Sequence, residues 1–218
     1  MLLVAEHTTN HVTFRSHNHM MLFDEPEVAD RFLELMARNK AKYGILIHSF
    51  CLMGTHPHVV VTATAGQKAF SDFWKVVNHG LAWFVNRRKR RRGQVVMDRM
   101  RSPTIEADGR HLLTVMRYGD LNPVRAGLCR SPGKWKYSSY RHYAYGERHP
   151  LVDDAPDYLA LGFSPAQRRI AYRGFFQQQL AVALMERRPD LVAGPFIGSL
   201  DWVAGKRIGA GLITPPDG

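Results

Sequence analysis

The sequence predicts an α+β fold: a ferredoxin-like antiparallel sheet with helices on one face, plus a C-terminal helical extension. The main observation is the order of apolar patterns, which runs strand, helix, strand, strand, helix, strand and then a further helix. A length of 218 residues with 45% hydrophobic residues supports one domain with a substantial core. Because the composition changes near residue 150, we predict a main domain over residues 1–148 and an extension over residues 149–218.

The first third of the chain carries clear element patterns. Residues 8–15 are rich in β-branched and aromatic side chains, which predicts a strand followed by a loop. A helix is predicted over about 24–43, with an acidic first turn and Gly44 as its end. Two strands at 45–53 and 58–64 then predict a hairpin around a Gly-Thr-His-Pro turn.

The middle of the chain continues the alternation. A helix over about 69–90 has a broad apolar face and a basic end. Short extended segments are predicted at 95–97 and 103–105. A third helix over 111–121 should stop before Pro123, because proline disfavours helical backbone in the residue that precedes it.

The last part of the chain reads differently. Residues 131–147 are aromatic, basic and loop-like. Ser164 and Pro165 have the residue types of a helix N-cap and first helical position, and the helix should run to about residue 187. The tail, residues 194–218, is rich in Gly and Pro and is predicted to be partly flexible.

The net charge of +11 is concentrated in one segment. Residues 87–148 carry 16 Lys/Arg and 5 Asp/Glu, whereas the other residues carry 14 of each sign. A basic region focused in this way favours a polyanionic partner. A solvated basic surface is the alternative.

Two histidines one residue apart, His56 and His58, form the first chemical signal. In an extended chain, residues i and i+2 point to the same face, and two imidazoles on one face make half of a divalent-metal site. Tyr118 on the predicted third helix would add a hydroxyl nucleophile. Metal and tyrosine together suit attack on a DNA phosphodiester. The alternatives are histidines that only form hydrogen bonds and a tyrosine that only packs in the core.

A rival pair of histidines, His17 and His19, lies in the predicted loop, with His7 and His11 nearby. We expect this cluster to contact DNA or solvent rather than a metal ion.

Residues 117–127 (RYGDLNPVRAG) and the residues that follow them resemble a signature of the REP-associated tyrosine transposases, of the HUH-type single-tyrosine superfamily. The following matches are Pro132, Trp135, Tyr137, Ser138, Ser139 and Tyr140. The segments at 11–19, 51–61 and 158–176 look like other parts of the same family. The resemblance therefore spans most of the chain.

The resemblance implies metal-dependent nicking and rejoining of single-stranded DNA, often beside a hairpin, through a 5′-phosphotyrosine intermediate. It implies Tyr118 as the nucleophile, with Mg²⁺ or Mn²⁺ bound by His56, His58 and Asn122. Asn122 lies one helical turn after Tyr118, and an amide oxygen is a suitable ligand for a hard cation. Its other possible role is to cap the helix ahead of the proline.

Several positions depart from the family pattern, and two of them, Pro57 and Gly119, lie next to the expected site residues. Pro57 stands where the family has an aliphatic residue, and since proline cannot donate to a sheet ladder, the site should sit at a strand end or edge. Gly119 replaces an isoleucine and weakens a helix by up to about 1 kcal/mol relative to alanine. A catalytically weak protein that binds single strands or hairpins is therefore one alternative, and an RNA-binding regulator is another.

Basic and aromatic side chains are predicted to contact the DNA backbone or to stack on bases. They comprise Arg87, Arg88, Lys89, Arg90, Arg91, Arg92, Arg99, Arg101, Arg117, Arg125, Lys134, Trp135, Lys136 and Arg141. Arg125 could instead order the helix of Tyr118. Tyr140 and Tyr143 could stack on bases or pack in the core.

The location of the protein is also an expectation. The first ten residues lack the pattern of a secretory signal, and no apolar run reaches the ~18 residues of a membrane span. Two cysteines define neither a disulfide framework nor a zinc motif. We expect a bacterial cytoplasmic, nucleoid-associated protein that is a monomer or homodimer and has no membrane partner.

Overall fold

The computed structural model describes residues 4–97, 100–107, 110–178 and 188–214. Its strands are β1 (Thr8–Thr13), β2 (Ile45–Met53), β3 (His56–Ala63), β4 (Thr104–Ile105) and β5 (Phe196–Ile197). Its helices are α1 (Pro26–Lys40), α2 (Gly66–Arg88), α3 (His111–Arg125), α4 (Tyr140–Tyr145), α5 (Pro156–Leu159), α6 (Pro165–Gln177) and α7 (Leu200–Gly209). No helix in these ranges is long and apolar enough to cross a membrane.

The five strands form one sheet in the order β2-β3-β1-β4-β5. The first four pair antiparallel, in the arrangement of a ferredoxin-like fold, and β5 joins β4 in parallel. The predicted hairpin of β2 and β3 is present, with a register shift near His48. The predicted fold class is confirmed.

Helices α1 and α2 cover one face of the sheet. The core on this side contains Val12 and Val61 from the sheet, Phe32 from α1, and Phe73 and Val77 from α2. The apolar residues of both helices recur at helical spacing, so each helix buries one stripe. Burial of these side chains fixes the two helices against the sheet.

Helix α3 lies on the opposite face, which the expectation of helices on one face did not include. Strand β3 is apolar on both sides: Val59 and Val61 point toward α1 and α2, whereas Val60 packs with Leu113 and Met116 of α3. A strand that is apolar on both faces needs cover on both. Since His56 and His58 share the alternation of Val60, they point toward α3.

Helix α3 does not stop before Pro123, so that prediction was wrong. It continues to Arg125 with the proline inside its last turn. The proline ring is buried in the core, and the carbonyl groups of Asn122, Pro123 and Val124 accept hydrogen bonds from Ala126, Leu128 and Gly127, respectively. This burial and these bonds offset the missing proline donor.

The segment 131–147 is not a simple loop. It contains a 3₁₀ turn at Pro132–Lys134 and helix α4, and it runs beside β2. The Tyr143 hydroxyl donates to the His48 carbonyl at 2.6 Å, and Tyr140 is also buried. Both tyrosines therefore pack in the core and do not form a stacking surface for bases.

The C-terminal part of the chain, from residue 149 onward, shares a core with α3. Tyr172 and Phe176 of α6 pack against it, together with Leu191. The predicted N-cap of α6 is confirmed by a capping box between Ser164 and Gln167. The helix ends at Gln177, earlier than predicted, and residues 179–187 lie outside the described ranges.

The predicted flexible tail contains regular elements. Strand β5 extends the sheet, and α7 starts with the Ser199 side chain accepting from the Trp202 backbone. Glu106 binds the Ser199 backbone N–H at 2.6 Å and so ties this segment to the end of β4. Residues 215–218 lie outside the described ranges.

Candidate metal and tyrosine site

The two histidines lie at the start of β3. His56 opens the strand, and His58 pairs with Cys51 of β2 and Thr13 of β1. Pro57 pairs with Leu52, whose N–H and C=O both point away from β3, toward Tyr137 and Trp135. The proline thus occupies a position where it removes no bond from the β2–β3 ladder, which agrees with the expected place at a strand end.

Tyr118 faces the histidines from α3. The centroid of its ring lies 5.7 Å from that of His58 and 6.5 Å from that of His11, edge-on in both cases. Helix α3 packs closely on β3 at Gly119, where an added Cβ would lie 3.6 Å from the His58 Cβ, an ordinary contact distance. The side chain of Tyr118 is only half-buried, so the ring is accessible beside the histidines.

Both histidines have their Nδ1 atoms in hydrogen bonds. Thr55 Oγ1 lies 2.9 Å from His56 Nδ1, and His11 Nε2 lies 2.9 Å from His58 Nδ1. Across the described ranges, neither His56 Nε2 nor His58 Nε2 has a hydrogen-bond partner. Burial lowers the pKa of His56, and lowers that of His58 well below its ordinary value. Both are thus neutral imidazoles near pH 7, the form that binds metal ions.

Asn122 and Arg125 complete the helix side of the site. The Arg125 guanidinium lies 4.7 Å from the Tyr118 ring centroid, and it donates a hydrogen bond to Asn122 Oδ1. Asn122 Nδ2 is buried, and it has no hydrogen-bond partner among the residues that the structure describes. The single amide oxygen predicted to bind a metal ion is therefore already used by Arg125, with one lone pair remaining.

The residues present fit a divalent cation in part. His56 and His58 are neutral imidazoles at alternate positions on one face of β3. Two such nitrogen ligands suit Mn²⁺ or Mg²⁺ only if oxygen ligands are added. Among the described residues, no group of three or more His, Cys, Asp and Glu has metal-binding geometry. The Asn122 oxygen, water and phosphate oxygens would have to supply the remaining ligands.

A pocket of about 220 Å³ lies against the histidine pair and Tyr118. Two basic residues that line it, Arg15 and Arg101, are exposed. Arg15 also contributes, after burial, to the lowered pKa of His56, so its positive charge acts on this histidine. Positive charge at the wall of a small pocket favours an anionic group such as phosphate.

The basic end of α2 divides into two sets. Arg88 and Lys89 form ion pairs with Glu25 and Glu27 at the start of α1, at 2.5–3.4 Å. Arg87, Arg90 and Arg92 point to solvent. The ion pairs partly neutralise the charge of the first set, whereas the second set forms no ion pair within the described residues.

The residues that follow α2 place one basic side chain, that of Arg101, at the pocket. Arg91 donates to the Gln94 carbonyl at 2.7 Å, and the chain then runs antiparallel beside the end of β1. Met97 donates to the Arg15 carbonyl, and Arg101 exchanges backbone hydrogen bonds with Thr13. Arg101 thus reaches the pocket, whereas Arg99 lies outside the described residues.

Three other residues predicted to contact DNA lie outside the pocket, and their side chains form hydrogen bonds or ion pairs with other residues of the protein. Arg117 donates to the carbonyls of Phe176 and Gln178, so it fastens the end of α6. Trp135 Nε1 donates to the Leu52 carbonyl at 3.0 Å, and Arg141 pairs with Glu147.

Lys134 and Lys136 are exposed on the same segment as Trp135. Lys136 Nζ lies 4.8 Å from the Tyr137 ring centroid. Neither lysine lines the pocket of the histidine pair.

Three residues that the sequence analysis did not select lie at the histidine pair, in the pocket wall or beside the basic end of α2. His11 was grouped with a loop cluster, but it lies in β1, fully buried, with its ring stacked at 5.1 Å on that of His58. Arg15 lines the pocket, but the strand predicted over residues 8–15 included it, whereas β1 ends at Thr13 in the structure. Trp83 is 56% exposed beside Arg87, with 5.4 Å between ring centroid and guanidinium. A tryptophan off the apolar stripe of α2 was the signal there.

The fold and the site together define an α+β domain with a histidine pair and a tyrosine on opposing elements. No protein-family model and no curated protein matches the sequence. The chain is similar in fold to the solved structure of a REP-associated tyrosine transposase bound to a REP hairpin. The TM-score is 0.58 at 15% identity, and the match covers 76% of this chain and 94% of that chain. The likeness supports the fold class, and about a quarter of the present chain lies outside the match.

Proposed function

We propose that this protein is a DNA-processing enzyme that nicks and rejoins single-stranded DNA through a covalent bond to Tyr118. The observation that carries the proposal is the placement of the Tyr118 ring 5.7 Å from that of His58, where both line a pocket that also contains Arg15 and Arg101. The structural neighbour, which is a transposase bound to a hairpin, supports the same class of substrate. The DNA would carry a hairpin next to the cleaved strand.

The reaction begins with binding of the scissile phosphate. Arg15 and Arg101 attract the phosphate to the pocket. A divalent cation held by His56 and His58, with Asn122 as a further oxygen ligand, would supply neutralisation of charge on the phosphate oxygens.

The Tyr118 hydroxyl oxygen then attacks phosphorus and displaces the 3′-oxygen of the preceding nucleotide, which takes up a proton from water as its bond to phosphorus breaks. The phenol proton passes to water, and the guanidinium of Arg125 over the ring attracts the negative charge that the oxygen acquires. The products are a 5′-phosphotyrosine and a free 3′-hydroxyl. Attack by a 3′-hydroxyl on the same phosphorus reverses the step and rejoins strands.

The test is incubation of the protein with labelled, hairpin-bearing single strands from the DNA that flanks its own gene, with Mn²⁺ or Mg²⁺. We expect a covalent protein–DNA band on denaturing electrophoresis that requires the metal ion. Tyr118→Phe should lose the band and retain binding, whereas Tyr145→Phe, at an exposed tyrosine of α4 outside the pocket, should keep the band. A band of equal intensity in Tyr118→Phe would contradict the proposal.

A second function is favoured by one observation, the hydrogen bond from Arg125 to Asn122 Oδ1. If this bond persists with DNA bound, a single lone pair of Asn122 Oδ1 remains for the cation and its negative charge is shared with Arg125, so the cation is held weakly and the protein binds hairpins or single strands with little catalysis. The same experiment separates the two functions. Tight binding in gel-shift assays without a covalent band on any flanking sequence supports the second.

A further inference from the structure

A chain of hydrogen bonds links the C-terminal part of the protein to the histidine pair. The Leu191 carbonyl oxygen lies 2.7 Å from His11 Nδ1, and His11 Nε2 lies 2.9 Å from His58 Nδ1. His11 and Leu191 are separated by 180 residues in sequence, and both are buried. The three groups form a continuous path from a 3₁₀ turn at Pro189–Leu191 to the candidate metal site.

The direction of each bond follows from the first acceptor. A backbone carbonyl has no hydrogen to donate, so His11 Nδ1 carries the proton of that bond. In a neutral His11 the other ring nitrogen, Nε2, then has only a lone pair, and the hydrogen between the rings must belong to His58 Nδ1. His58 is consequently the Nδ1–H tautomer, with an unprotonated Nε2.

The neutral form of His11 has a structural basis. Its ring is fully buried, it is stacked on the ring of His58, and its two nitrogens contact a carbonyl and another imidazole. No carboxylate of the described residues forms an ion pair with it. Burial without a counter-ion disfavours the charged ring.

The tautomer decides which nitrogen of His58 can bind a cation. The opposite tautomer would place a hydrogen on Nε2, the nitrogen that has no partner within the described ranges. Partners of this kind, which orient a ligating imidazole through its second nitrogen, raise metal affinity in general.

We propose that His11 is a positioning residue that holds His58 in the metal-binding tautomer, and that the Leu191 carbonyl of the C-terminal part holds His11 in turn. The proposal deepens the proposed function and rests on it for the identity of the ligand. It assigns a task to the C-terminal part: this segment supplies the last acceptor of the chain and so contributes to the candidate metal site without touching a cation.

The first experiment is a long-range ¹H–¹⁵N correlation spectrum of the imidazole groups of the metal-free, full-length protein at pH 7. The His58 signals are assigned by their loss in His58→Gln. We expect a protonated Nδ1 and an unprotonated Nε2 for His58. A proton on His58 Nε2 would overturn the proposal, and this result needs neither activity nor a variant of His11.

The second experiment is a titration with Mn²⁺, followed by the electron paramagnetic resonance signal of the free ion. His11→Phe removes both hydrogen bonds at similar volume, and we expect Mn²⁺ binding weaker by about 10- to 100-fold. His11→Gln can still accept from His58 and should lie between this variant and the wild type. Equal Mn²⁺ affinity in wild type and a folded His11→Phe would overturn the proposal.

His48→Phe is the matched control. His48 is also a buried histidine of the sheet, and its Nδ1 also contacts a carbonyl of the C-terminal part, that of Asp153 at 3.0 Å. Its other nitrogen contacts Thr62, away from the pocket. We expect unchanged Mn²⁺ affinity. If the wild type binds no Mn²⁺, the metal-dependent function fails, whereas the tautomer of His58 still decides the present proposal.

Discussion

At the scale of single residues, the site depends on side chains that each have a defined neighbour. Tyr118 faces His58, and Arg125 lies over the Tyr118 ring. The sequence was sufficient to select the histidine pair and the tyrosine as candidates, because the strand alternation and the family signature are local patterns; their metal-binding and catalytic roles stay predictions. It was not sufficient for His11, because its partners His58 and Leu191 lie 47 and 180 residues away.

Gly119 gives the first prediction. A Cβ at this position would meet the His58 Cβ at 3.6 Å, an ordinary contact, and the glycine does not need a left-handed conformation. Gly119→Ala should therefore raise the free energy of unfolding by up to about 1 kcal/mol through helix propensity. Chemical denaturation measures this, and the DNA-binding affinity should not change.

Gly44→Ala is the contrasting variant. Gly44 has a φ of +60°, and a Cβ there would lie 2.6 Å from Thr64 Oγ1. We expect a loss of stability of about 1–2 kcal/mol, because an L residue pays for the left-handed conformation as well as for the close contact. If Gly119→Ala lost as much stability as Gly44→Ala, the inference that α3 packs on β3 with room for a Cβ at position 119 would be wrong.

At the scale of elements, the continuation of α3 through Pro123 is the structural fact with the largest consequence for the site. Because the helix does not stop, Arg125 falls two turns after Tyr118 and Asn122 one turn after it, on the same face. The local rule on proline predicted an earlier end. It failed because burial of Pro123 and hydrogen bonds to the last carbonyls offset the missing donor, and tertiary packing of this kind is not visible in a local pattern.

The basic end of α2 gives a prediction at this scale. Arg90 and Arg92 point to solvent, so the double variant Arg90→Gln, Arg92→Gln should weaken binding of single-stranded DNA. The slope of log affinity against log salt should become shallower by about 0.7 for each lost phosphate contact. Fluorescence anisotropy at several salt concentrations measures both quantities.

The control is the double variant Arg88→Gln, Lys89→Gln. These side chains already pair with Glu25 and Glu27, so their charge is partly neutralised. We expect a smaller change in the salt slope than for the solvent-facing pair. An equal or larger change would show that the ion pairs open to bind DNA and would contradict the division of the basic end into two sets.

At the scale of the whole molecule, the C-terminal part is built into the core of the protein. Tyr172 and Phe176 pack with α3, β5 extends the sheet, and Leu191 holds His11. The sequence predicted helix α6 from its N-cap, but it did not predict β5, because a two-residue strand has no pattern of its own. Stability and the candidate site are therefore expected to depend on the same long-range contacts.

The pH dependence of stability follows from the buried histidines. Burial lowers the pKa of His11 to about 4, and the pKa values of His48 and His58 are lowered in the same direction. Between about pH 6.5 and 4 the unfolded chain takes up protons that the folded protein excludes, so stability is present above pH 6.5 and is lost as the pH falls. His11 alone should account for on the order of 3 kcal/mol across this window.

Denaturant titrations of metal-free wild type and His11→Gln at several pH values between 7 and 4 measure the effect. The difference between the two proteins isolates His11 from the buried Asp120 carboxyl, whose raised pKa acts in the opposite direction. We expect the wild type to lose more stability than the variant as the pH falls. Parallel curves would mean that His11 is not held neutral in the fold.

Mass spectrometry of tryptic peptides, after reaction with a hairpin-bearing single strand and Mn²⁺, tests whether Tyr118 is the nucleophile. We expect a nucleotide adduct on the peptide that contains Tyr118, located on that side chain by fragmentation and absent without the metal ion. An adduct on any other tyrosine, or nicked DNA with an unmodified Tyr118 peptide throughout the reaction, would contradict this expectation.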